Sequence, residues 1–97
     1  TVMKWIEKMV ERITRSDAPL NNSFRIDRHK IDCQSGMSDY MDVTIDNSHK
    51  FSFDFLTKEL CRVRDCKYWE YIILSLRDIY GNIKVTDNFK INENEKD

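Results

Sequence analysis

Hydrophobic positions along the chain change period several times, and each change marks an element. In residues 2–15, Val2, Trp5, Ile6, Met9, Val10 and Ile13 recur at helical spacing. The opposite face carries Lys4, Glu7, Lys8, Glu11, Arg12 and Arg15, with Glu11 four residues before Arg15. The pattern predicts an amphipathic helix, capped by Thr1 and ended before Pro19. Its apolar face calls for a sheet to cover.

Residues 24–33, FRIDRHKIDC, alternate with a fault. Phe24 and Ile26 fall on one face and Ile31 and Cys33 on the other. A β-bulge near Arg28 to Lys30, or a break between two short strands, would reconcile the phases. The clearest pattern follows. Met41, Val43 and Ile45 alternate with Asp42 and Thr44; Phe51, Phe53 and Phe55 alternate with Ser52 and Asp54. This predicts a hairpin with one apolar face, a five-residue connection over 46–50, and Ile45 opposite Phe51.

Thr57 is placed to cap a short helix that turns Leu60 and Val63 inward. Residues 67–81 satisfy two patterns. As a helix, Trp69, Ile72, Ile73, Leu76, Ile79 and Tyr80 share a face, with Asp65 as N-cap and Gly81 as C-cap. As a strand, Ile72, Leu74 and Leu76 point inward, 78–82 turn, and Ile83 and Val85 return. The strand-favouring run Tyr71-Ile72-Ile73 and the Asp-x-x-Gly-Asn bend tip the reading towards a hairpin. Phe89 and Ile91 close the last strand. The polar NENEKD tail frays.

The expected architecture is therefore α+β: an N-terminal helix on an antiparallel sheet of about four or five strands, with room for one further short helix. With 97 residues the chain supports one core, so 1–91 read as a single domain and 92–97 as a tail. No apolar run is long enough to span a bilayer.

Charge narrows the function classes. Sixteen basic and 17 acidic side chains leave a net charge of -1, against a dedicated non-specific nucleic-acid binder. Two glycines cannot write a phosphate-binding loop. Three cysteines, odd and sparse, fit a reducing cytoplasm better than a secreted scaffold.

Three groups of residues bear on chemistry. His29, Cys33, Cys61 and Cys66 are the residue types of a tetrahedral zinc site. Four residues along a straight strand nevertheless span roughly 13 Å, which sets His29 and Cys33 apart. Asp39, Asp42, Asp46 and Asp54, with Lys50 or Lys58, faintly suggest magnesium-dependent chemistry. Alternation accounts for them more simply, Asp42 and Asp54 being the polar side of a half-buried strand. Finally, Arg62, Arg64, Lys67, Tyr68, Trp69 and Tyr71 combine the types enriched at protein-interface hot spots. Single-stranded nucleic acid uses a similar mixture. The expectation is a non-enzymatic protein-binding module, an inhibitor, adaptor or regulatory subunit without a cofactor. It would act through this aromatic–arginine patch, with Asp42 and Asp54 at the rim. Nucleic-acid binding is the second reading, and a zinc-stabilised or metal-dependent domain the third. Self-association through a sheet edge is compatible with the pattern.

Overall fold

A computed structural model describes residues 2–14, 24–34 and 36–89. It contains helix α1 (Val2–Thr14), strands β1 (Phe24–Cys33), β2 (Gly36–Ile45), β3 (Ser48–Asp54) and β4 (Glu59–Arg62), helix α2 (Trp69–Tyr80) and strand β5 (Lys84–Asp87). The class is α+β, as the patterning predicts. The chain divides into two compact units, a helical one within 1–22 and 66–83 and a sheet within 23–65 and 84–97. Thr1, Pro19, Ile91 and the 92–97 tail lie outside the described residues.

In the helical unit, Trp5 and Met9 are fully buried on α1. On α2, Trp69, Ile72, Ile73, Ser75 and Leu76 are the buried residues. Residues 67–81 are thus not a hairpin. The apolar stripe recurs with helical period, and burying a whole stripe outweighs the strand preference of three residues. Leu74 is left exposed as the cost of that choice. The N-cap is Tyr68, not Asp65, and has no side-chain cap bond. Gly81 does end the helix, at φ 80°, and its N–H donates to the Arg77 carbonyl. Arg12 joins the helices, donating to Ser75 Oγ at 3.2 Å and pairing with Asp78 at 2.5 Å.

The sheet has strand order β1-β2-β3-β4-β5. It is mixed, because β4 and β5 run parallel. Parallel neighbours need a long crossover, which the segment containing α2 supplies between them. Residues 59–62 form β4 where the sequence suggested a short helix behind Thr57. The turn before β4 is built by Asp54, whose Oδ1 accepts from the Leu56 and Thr57 N–H groups.

The β2–β3 hairpin closes through two residues, not five. Asp46 and Asn47 take φ 55° and 64°, the positive pair of a tight hairpin turn. Ile45 then opposes Ser48, not Phe51. Continued unchanged, that register would turn Phe51 and Phe53 to the polar side. One extra residue, Lys50, corrects it: Thr44 pairs His49, but Val43 pairs Phe51. The bulge returns the phenylalanines to the face of Met41 and Val43. The displaced Lys50 carbonyl accepts from Val63 and Arg64.

No bulge interrupts β1, which pairs without a slip from Phe24↔Ile45 to Cys33↔Gly36. The predicted fault is absent because Arg28 takes an inward position opposite Met41. Its guanidinium lies 4.2 Å from the Phe55 ring centre and bonds both oxygens of Asp39 at 2.9 Å. Ile31 is left on the other face, 49% exposed.

Candidate functional site: the outer sheet face and the β1 edge

Directly opposed residues share a face of a sheet. The buried face therefore carries Phe24, Ile26, Arg28 and Lys30 of β1 beside Ile45, Val43, Met41 and Asp39 of β2. The outer face carries Arg25, Asp27, His29 and Ile31, then Tyr40, Asp42 and Thr44, then His49, Ser52 and Asp54.

Asp42 organises this outer face. It lies directly opposite Asp27, a repulsive pairing. Neighbours relieve it. Arg25 Nε holds Asp27 at 3.1 Å. His29 Nε2 meets Asp42 Oδ2 at 3.0 Å, and His49 Nε2 meets Oδ1 at 3.4 Å. Ser52 donates to Oδ1 at 2.6 Å, and His29 stacks on Tyr40 with ring centres 4.7 Å apart. Three strand-borne side chains, His29, His49 and Ser52, thus converge on one carboxylate. An open depression lined by Arg25, Asp27, Thr44, Asn47 and His49 lies alongside.

The set resembles a nucleophile–base–acid relay in composition only. Such a relay needs the acid on one imidazole nitrogen and the nucleophile on the other. Here the same Nε2 of His49 meets Ser52 Oγ, Asp42 and the Phe51 carbonyl. Ser52, moreover, gives its proton to the carboxylate. The arrangement stabilises a polar sheet face. Sequence reasoning missed it because only the register brings residues 29, 42, 49 and 52 together.

The expected site residues fall in both units. Tyr68 and Trp69 are buried in the helical unit, at 2% and 6% exposure. Lys67 is exposed there, 5.7 Å from the Tyr68 ring centre, and Tyr71 is half-buried. Arg62 and Arg64 belong to the sheet unit. The Arg62 side chain is largely covered, bonding Asp65 at 3.1 Å and Asp87 at 3.4 Å; Arg64 is exposed. Burial of the two large rings leaves the patch without the apolar anchors a hot spot needs. Asp42 is bound up with the histidines, and Asp54 holds a turn.

The zinc-type residues fall on β1, on β4 and in the helical unit. His29 and Cys33 lie along one uninterrupted strand. Cys61, on β4, accepts from Asn88 Nδ2 at 3.1 Å, and burial with Glu59 nearby raises its thiol above the usual range. Cys66 is buried in the helical unit. No three His, Cys, Asp or Glu among the described residues are placed to hold a metal ion.

The sheet ends at β1. Among the described residues, no strand pairs with the far side of this ten-residue strand. It is regular and free of proline and glycine. Arg25, Arg28, Lys30, Ile31 and Asp32 are exposed along it, and Met37 is exposed on its neighbour β2. Comparisons with protein-family models, with curated proteins and with solved structures found no match.

Proposed function

We propose that this chain is a small protein-binding module that accepts an extended segment of its partner as an added strand alongside β1. One observation carries the reading: a ten-residue regular edge that no other described strand covers. An edge presents a row of main-chain donors and acceptors, and a peptide laid along it gains several hydrogen bonds at once. Side chains on alternate positions then supply selectivity. The remainder of the sheet suits a rigid support. Asp42 with its histidines ties β1, β2 and β3 together on one face, and Arg28–Asp39 ties β1 to β2 on the other.

Selection from a random-peptide library, followed by hydrogen exchange on the complexes, tests the proposal. Enriched peptides are expected to slow exchange at β1 amides. Peptides that protect α2 or the β3–β4 turn and leave β1 unchanged would contradict it.

A further inference from the structure

We infer that the strand accepted at β1 runs antiparallel and reads basic-x-acidic-x-x-x-apolar-x-apolar, and that the residues carrying this order are the ones that make its main-chain hydrogen bonds. The inference rests on the reading of β1 as the docking edge.

Register decides which main-chain groups of β1 point outward. In an antiparallel ladder a residue turns its N–H and C=O towards one neighbouring strand, and the next residue turns them towards the other. Asp39 turns towards β3, where its carbonyl accepts from the Phe55 N–H at 2.8 Å. Its opposite residue on β1 is Lys30. That pair is therefore not hydrogen-bonded, and Lys30 turns its own N–H and C=O away from β2. The two strands pair without a slip, so every second residue does the same: Phe24, Ile26, Arg28, Lys30 and Asp32. All five side chains lie on the buried-face side. An added antiparallel strand thus bonds through residues whose side chains turn to that same side.

The order of those five residues sets the order in the partner. Phe24 and Ile26 are only half-buried, at the border of the described sheet. Apolar residues opposite them continue the cover. Lys30 and Asp32 are exposed and of opposite sign. Lys30 calls for an acid opposite it and Asp32 for a base, since pairs of opposite charge add to affinity and like charges subtract. Arg28 stands between, bonded to Asp39 and laid over Phe55, so the position opposite it is left open. An antiparallel partner, read from its N-terminus, meets Asp32 first and Phe24 last. Two bases, Arg28 and Lys30, and two acids, Asp32 and Asp39, leave this side without net charge. The edge therefore selects the order of charges in its partner, not their sum.

The peptide Lys-Thr-Glu-Thr-Ser-Thr-Val-Thr-Val tests this against three relatives of equal net charge. One exchanges its lysine and glutamate, one is N-methylated at both valines, and one is N-methylated at the two threonines flanking the first valine. Binding is read by fluorescence anisotropy and mapped by hydrogen exchange. The parent peptide is expected to protect β1 amides and to bind about fivefold tighter or more than the exchanged one. Methylated valines should abolish binding and methylated threonines should be tolerated, because only the valine amides face β1. The double variant Lys30→Asp, Asp32→Lys should prefer the exchanged peptide. Equal affinity for parent and exchanged peptides, with β1 protected by each, would overturn the charge order but leave the docking edge standing. Binding lost on threonine methylation and kept on valine methylation would overturn the assignment of outward residues. No protection of β1 by the parent peptide at about 1 mM would overturn both the code and the docking edge.

Discussion

At the scale of single residues, the chain places charge inside the face that periodicity reserves for apolar groups. Arg28 does this by laying its guanidinium over Phe55 and giving two hydrogen bonds to Asp39. Those bonds hold the Asp39 carboxyl below its ordinary range, against the opposing pull of burial. The sign follows. A depressed folded-state value stabilises the protein above the pH at which an unfolded Asp ionises, and the contribution is lost as pH falls through the folded value. Asp39→Asn should therefore melt below the parent at about pH 6, and the gap should close towards about pH 2. Melting curves across that range check it, and a gap independent of pH would show that the carboxylate charge is not involved. Alternation alone could not have found this pair. It marked a fault at Arg28 to Lys30 and offered a bulge, because a counting rule cannot see an arginine stem serve as apolar surface. The same blindness hid the Asp42 cluster, whose members are scattered over 24 positions of sequence, 29 to 52, until register joins them.

At the scale of elements, local preference and burial compete, and burial decides. The β2–β3 hairpin was legible because both strands keep a clean period of two. Its turn was not, because the two-residue connection works only with the bulge at Lys50. Deleting Lys50 should turn Phe51 and Phe53 outward and abolish cooperative folding. A deletion variant with an unchanged thermal midpoint would mean that the bulge is dispensable. In α2 the strand-favouring triplet misled, whereas the stripe of Trp69, Ile72, Ile73 and Leu76 was in plain view. The two faces of that helix predict opposite tolerances. Ile72→Ala should cost about 2–5 kcal/mol, while Leu74→Glu, on the exposed side, should stay within about 0.5 kcal/mol. Urea titration of the two variants distinguishes this helix from the hairpin alternative, in which Leu74 is inward and the larger loss belongs to it.

At the scale of the molecule, the α+β class was readable and the parallel β4–β5 pair was not, since it depends on how a helical segment intervenes between two four-residue strands. Two residues of the surface offered by composition, Tyr68 and Trp69, are buried, and the long edge is the surface proposed in its place. The most direct test needs no partner at all: residue-resolved hydrogen exchange along β1 in the isolated chain. A free edge predicts alternation, with amides bonded to β2 exchanging slowly and their neighbours, directed away from the sheet, exchanging fast. Uniformly slow exchange from Phe24 to Cys33 would mean that the edge is already covered, and the strand-addition account would fall with it.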